Sequence, residues 1–335
     1  MKKWRVLMAA AASALVTAAC SAPAPDSQTQ AQETKEAQEE TQSTASGEEA
    51  QAETGTVTAE ELKDTEAQII DIRSEEQYIG WTTEEGPGGH IRGAVDFPES
   101  WLSIDLEKDS AIGTTMDREL ERRGLDPAKE TVLYSNSAVS EETVQKYREI
   151  GFENLSVLEG GYEAYVEAGG ETESLEHYEM YVHPQWVQDL ADGKTPETFD
   201  GGDFQIVEVS LASEEGEYDK GHIPGAINVN ADEINHIPGP RALADYEVIP
   251  MEEQLKFWNR PSDEDLQNIL EGLGITKDTT VVLYGTTAAT TAAARAGLLM
   301  KYAGVEDVRL LNGGKTRWAL EGRAWDTEAQ EAEQA

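Results

Sequence analysis

Short apolar runs alternate with longer amphipathic segments from about residue 57 to residue 325 of this 335-residue chain. The runs are QIIDIR, TVLYS and LSVLEGG in the first half, and FQIVEVS, TVVLYG and VRLLNGG in the second. Runs this short, apolar at consecutive positions, are strands covered on both faces. The segments between them, EETVQKYREIGF and AAARAGLLMKYAGV among others, carry helical periodicity over roughly 10 to 14 residues. Gly151 and Gly304 are the next-to-last residues of these two segments, where helices commonly end on a left-handed residue. The pattern predicts an α/β fold, with parallel central sheets flanked by helices on both faces.

The signatures also repeat in order. QIIDIR leads to GHIRGAVDFP and FQIVEVS to GHIPGAINV; each half then supplies a strand, a loop of small residues, a helix, a strand and a Gly-Gly pair. Repetition at this scale predicts two equivalent domains in tandem, 57–172 and 173–325, followed by an acidic tail at 326–335. An insertion at about 231–261 enlarges the second domain.

The N-terminus reads differently. MKKWR supplies positive charge, VLMAAAASALVTAA an apolar run, and Cys20 follows directly. The run is short for a membrane span and has the order of an export signal. LVTAAC resembles a bacterial lipobox, which implies a signal peptide at 1–20 and a lipid on Cys20. Residues 21–56 hold Gln, Glu, Thr, Ser and Ala with almost no large apolar side chain, too little to offset the entropy of ordering. They read as a disordered acidic tether. The expected location is the extracytoplasmic face of the cell membrane, with membrane contact through the lipid anchor only.

Charge narrows the function. The chain carries 66 acidic against 26 basic residues, a formal net charge of −40. This excludes nucleic acid and anionic lipid as partners through basic patches. The acids show no metal-ligand spacing, so no metal or cofactor is expected. Cys20 is the sole cysteine, so the two domains hold no thiol and no disulfide.

Candidate chemistry sits where each half's central strand ends. Ligands of parallel sheets bind beyond the carboxyl ends of the strands. That places two loops at the expected site: Ser135, Asn136, Ser137, Ala138, Val139 and Ser140, and Gly285, Thr286, Thr287, Ala288, Ala289 and Thr290. A strand-loop-helix of this kind aims backbone N–H groups and a helix N-terminus at one point. Asn136, Ser137 and Ser140 are candidate caps for the first helix.

The set DIRSEEQY…GHIRGA, VLYSNS and GFENLSVLEGGYEAY resembles a rhodanese domain; EYDKGHIPGAINV, VVLYG and LLNGGKTRW resemble a second. The resemblance covers about 57 to 325 and implies similarity to thiosulfate sulfurtransferases. In that family a loop cysteine takes a sulfane sulfur as a persulfide and passes it to a thiophile. Ser135 and Gly285 occupy the matching positions, and neither can carry a persulfide. The arginine often found late in the family loop is replaced by Val139-Ser140 and Thr290-Thr291. The resemblance gives Asp71 and Arg73 a structural ion pair, left incomplete in the second copy by Glu208 and Ser210. His90 and His222, in the GHI turns, are expected to hydrogen-bond backbone. No base is identifiable that would make Ser135 a nucleophile. Three readings follow: a binding module for a small anion, a sulfur compound or a surface protein; a sulfurtransferase; or a surface spacer.

Overall fold

The computed structural model describes residues 54–103, 115–211, 216–234, 250–255, 259–286, 290–330 and 332, all within one compact unit spanning Gln51–Ala335. Cys20, the signal segment, most of the tether, most of the 231–261 insertion and Thr287, Ala288 and Ala289 lie outside the described residues.

Two five-stranded parallel sheets form the frame. The first has strands β1 (Gly55–Val57), β2 (Gln68–Asp71), β4 (Val95–Asp96), β5 (Glu130–Tyr134) and β6 (Asn154–Leu158), in the order β1-β6-β5-β2-β4. Beside it β3 (His90–Ile91) and β7 (Thr172–Glu173) pair antiparallel. The second sheet has β8 (Tyr181–Val182), β9 (Phe204–Ser210), β10 (Ile227–Asn230), β11 (Thr280–Gly285) and β12 (Asp307–Leu311), in the order β10-β9-β11-β12-β8. Read from the opposite edge, this is the first order with each strand replaced by its repeat. Both sheets are parallel throughout, as the apolar runs predict.

Alternation decides which layer each residue joins. In β11, Val281 and Leu283 pack with the helix Thr290–Ala303, while Val282 and Tyr284 pack on the other face with Val182, Trp186 and Trp318. In β5, Leu133 faces one core and Val132 and Tyr134 the other. The helix Glu141–Glu149 ends before Gly151, at φ 108°, and the helix Thr290–Ala303 before Gly304, at φ 100°.

The cores are not separated by domain. Ile79 and Trp81, from the first half, lie in the second sheet's core with Val182, Trp186 and Val187. The Trp81 indole N–H donates to the Tyr181 carbonyl at 2.8 Å, and Arg317 pairs with the buried Glu76 across the same junction. Segment boundaries also interlock. β1 starts within the stretch read as tether, and β7 pairs Glu173 with His90. Asp326, in the stretch read as a tail, bridges His222 in both backbone directions at 2.9 Å.

Candidate functional site

Each sheet places a tyrosine at the end of its central strand, opposite a carboxylate on the neighbouring one. In the first, Tyr134 stands in register with Asp71; in the second, Tyr284 with Glu208. The Tyr134 hydroxyl donates to Asp71 at 2.6 Å and accepts from the Ile91 N–H at 3.1 Å. The Tyr284 hydroxyl donates to Glu208 at 2.7 Å and accepts from the Ile223 N–H at 3.1 Å. Burial, and then the adjoining carboxylate, raise both phenol pKa values well above the ordinary range, so each stays a donor.

Both carboxylates are buried, and a buried carboxylate needs a counter-charge. Asp71 has Arg73, whose Nη2 lies 2.7 Å and Nε 3.0 Å away. Arg73 spends its remaining N–H groups on the carbonyls of Pro87 and Gly89 and on Asn136 Oδ1, and its guanidinium lies 3.9 Å from the centre of the Tyr162 ring. Burial alone would lower the Arg73 pKa; the hydrogen bonds and charge of Asp71 outweigh it and hold it above the usual value. The sequence leaves Glu208 without such a partner, since Ser210 stands where Arg73 does. The fold supplies one from elsewhere: Lys315 Nζ donates to both Glu208 oxygens, at 3.0 and 3.1 Å, and to the Glu217 carbonyl at 3.2 Å. Lys315 follows Gly314 as Tyr162 follows Gly161, so the repeats have exchanged positions. Arg73 with Tyr162 becomes Ser210 with Lys315. Comparing the two copies position by position contains this signal; reading each strand end alone misses it.

The first loop is anchored by its carbonyls. Tyr162 N–H donates to Ser135 O at 2.8 Å and Glu163 N–H to Asn136 O at 3.1 Å. A side chain on Gly161, at φ 65°, would meet Ser137 O at 2.3 Å and Ser135 O at 2.6 Å, so only glycine lets the loop seat there. Of the three candidate caps, Ser140 alone serves, accepting from Thr143 N–H at 3.1 Å. Asn136 turns back into the domain instead. It accepts from Arg73 and Gln77 and donates to the Glu85 carbonyl at 3.0 Å. Ser137 and Ala138 are exposed, with Val139 and Ser135 partly covered. Among the described residues the N–H groups of 136–139 have no protein acceptor, and the Ser135 hydroxyl meets no imidazole or carboxylate. Glu141 and Glu142 occupy the first turn of the following helix, so its N-terminus already faces negative charge.

In the second loop Gly285 ends β11, Thr286 is buried, and Thr290 opens the next helix. The Gly285 carbonyl lies 3.1 Å from where a Gly314 side chain would sit, so this copy too docks its loop on the Gly-Gly turn. His90 and His222 are backbone-bound, Nδ1 to Tyr78 O at 2.7 Å and to Tyr218 O at 3.0 Å. Each stacks on that tyrosine. Among the described residues no group of His, Cys, Asp and Glu converges to hold a metal ion.

The Rhodanese-like domain family matches twice, at residues 56–168 and 184–321. The chain is 30% identical over 267 residues to the thiosulfate sulfurtransferase YnjE of Escherichia coli, covering 79% of this chain and 54% of that one. It is 35% identical over 158 residues to the sulfur carrier protein TtuD of Thermus thermophilus, 45% of this chain and 44% of that one. The chain thus spans about half the length of these curated relatives. Among solved structures it resembles the anaerobic ergothioneine biosynthesis enzyme of Chlorobium limicola in complex with trimethyl histidine. The TM-score is 0.67 at 28% identity, over 84% of this chain and 65% of that one. A structure of EanB with ergothioneine covalently linked with a persulfide matches with a TM-score of 0.68 at 28% identity, over 84% and 65% of the two chains. With both halves matched and the sheet order repeated, this chain belongs to the rhodanese family, as two rhodanese-like domains in tandem.

Proposed function

We propose that the two domains are a ligand-holding, non-transferring member of this sulfurtransferase-like family, carried at the outer face of a membrane by a lipid on Cys20. One observation carries the reading: the residues closing the central strands are Ser135 and Gly285, and no thiol follows residue 20. A persulfide needs a thiolate sulfur to bond the transferred sulfur, and a hydroxyl or a hydrogen atom cannot replace it. What the first loop retains is a row of backbone N–H groups without protein acceptors among the described residues, fastened from behind through its carbonyls. Such a row suits a small anion or a sulfur compound such as thiosulfate. Glu141 and Glu142 at the mouth oppose it, so binding is weak.

The test has two arms. Titration with thiosulfate, followed by the amide signals of 136–140, should move those signals saturably and leave distant amides unchanged. A thiosulfate:cyanide assay on the same protein should give no turnover above a cysteine-free control. Turnover in the Cys20→Ser protein would defeat the proposal and favour the second reading, a working sulfurtransferase, which the names of the relatives support. Release of Cys20→Ser from the membrane fraction would support the lipid anchor.

A further inference from the structure

The helix Pro184–Ala191 begins just past β8, where the two domains meet, and its first turn is capped by an imidazole. His183 stands at the N-cap, and its Nδ1 accepts the Trp186 N–H at 3.4 Å. A backbone N–H can only donate, so Nδ1 carries no proton and the ring is the neutral tautomer protonated at Nε2. The ordinary caps, Ser, Thr, Asp and Asn, accept this bond throughout the range around neutrality. An imidazole accepts it only while uncharged.

The first domain comes up to this same ring. Trp81 meets it edge to face at 5.5 Å and donates its indole N–H to the Tyr181 carbonyl, two residues before His183. Glu76, on the helix Glu75–Ile79, pairs with Arg317 of the second domain, and Thr82 N–H donates to Glu197 at 3.2 Å. His183 is partly buried and lines a cleft of about 420 Å³ between the domains, so water and protons reach it.

The charges facing the ring are matched without it. Arg317 has Glu76 and, at 3.0 Å, Glu321; Arg323 has Glu321 at 2.7 Å. Asp189, on the same helix as the capped turn, is held by Lys194 at 2.7 Å. Glu84, Glu85 and Glu197 line the cleft as well, but they are exposed and screened by water. A proton on His183 therefore adds an unmatched charge beside two arginines. It also turns Nδ1 into a donor pointed at a donor, which removes the cap and strands the Trp186 N–H. Burial, with Arg317 and Arg323 behind it and Glu76 opposing, keeps the ring neutral near pH 7.

We propose that His183 is a proton-sensitive latch between the two domains. Neutral, it caps the helix Pro184–Ala191 and keeps Trp81 seated against the second domain. Protonated in mild acid, it releases the cap and the junction loosens. A proton that binds the open junction better than the closed one shifts the balance towards the open one.

The experiment is amide hydrogen exchange of the whole chain at pH 7.5 and 5.5, expressed as protection factors so that the intrinsic pH dependence of exchange cancels. A histidine free to titrate at its ordinary 6.5 is charged about ten to one at pH 5.5, so opening can rise by at most about elevenfold. Protection over 75–82 and 183–191 should fall about threefold or more on acidification, while the helix Glu141–Glu149 keeps its own. His183→Asn supplies a cap that does not titrate, and should hold the protection seen at pH 7.5 and abolish the fall. His177→Asn, at an exposed histidine, should leave the fall in place. Melting temperatures are measured alongside; should His183→Asn melt below the parent, His183→Ser is the second non-titrating cap. No fall in the parent, an equal fall in the capped variant, or an equal fall over 141–149 would each overturn the proposal. Failure here leaves the reading of the two loops untouched, since thiosulfate binding at 136–140 is measured separately.

Discussion

The two buried charge clusters answer one physical problem with different parts. In the first domain Asp71 and its cation come from the same strand end, two residues apart, and the pair is sealed: both side chains are 1% exposed. In the second, Glu208 is fully buried but its cation arrives from a helix more than a hundred residues later, and Lys315 stays 18% exposed. Arg73 is planar and stacks on Tyr162, whereas Lys315 is a point charge on a flexible stem, 5.7 Å from the Trp325 ring centre. What the fold requires at this point is a cation beneath the tyrosine–carboxylate pair. Which strand or helix delivers it is free to change.

That comparison can be broken most directly by removing the cations. Arg73→Met strands Asp71 in a dry site and should cost about 3–5 kcal/mol in urea unfolding. Lys315→Met should cost less, about 2–4 kcal/mol, because Lys315 is 18% exposed and water can follow the same path to the otherwise buried Glu208. Equal losses would show that burial does not set the difference.

Exchange sharpens it. Ser210→Arg combined with Lys315→Tyr rebuilds the first cluster in the second domain, and should recover at least about half of the Lys315→Met loss. No recovery would mean that the two copies are not interchangeable here, and the position-swap explanation would fall.

The loops offer the next contrast. Ser135→Cys places a thiol on a loop whose carbonyls are locked to Tyr162 and Glu163. Exposed to thiosulfate, its thiolate should take the outer sulfur, release sulfite and gain 32 Da as a persulfide, roughly the mass of one sulfur atom. Gly285→Cys should do so more slowly, since Gly285 is buried where Ser135 is only partly covered, so a thiol there is harder for thiosulfate to reach. The reverse order, read by intact mass over time, would reject the better-kept first loop.

The smallest effect is in pH. Burial holds the His183 pKa below its ordinary 6.5, with the Arg317 and Arg323 charges adding to this and Glu76 opposing it. The unfolded chain therefore takes up this proton first, and stability should decline as pH falls from 6.5 towards the lower folded value. His183→Gln should flatten that limb of the stability curve. Glu76 adds a separate loss at lower pH: burial alone would raise its pKa, but Arg317 outweighs this and lowers it. Its contribution is complete above its ordinary 4.5 and disappears as pH drops through the folded value. An unchanged limb in His183→Gln would remove the histidine from the account.

Much of this was legible in the chain. Apolar runs of five to seven residues marked six of the strands, Gly151 and Gly304 marked the helix ends, and the repeated GHI and Gly-Gly signatures implied two equivalent domains. The ring nitrogens of His90 and His222 meet backbone carbonyls four to twelve residues earlier, a local contact that sequence reasoning reaches. Asn136 was not legible as an inward-facing residue. Asparagine before a helix suggests a cap, and only the approach of Arg73, Gln77 and the Glu85 carbonyl from distant segments turns it round.

Sequence alone determined that neither domain carries a thiol of its own, with the sole cysteine at position 20 and Ser135 and Gly285 at the loop positions. It determined the parallel architecture too, because strand and helix periods are local properties of the chain. Tertiary structure decided what pairs with what. Lys315 reaches Glu208 across 107 positions, Arg317 reaches Glu76 across 241, and Trp81 completes the second domain's core. Partners of this kind are chosen by packing in three dimensions, where a buried charge is satisfied by whichever cation the fold brings within reach, and distance along the chain carries no information about it.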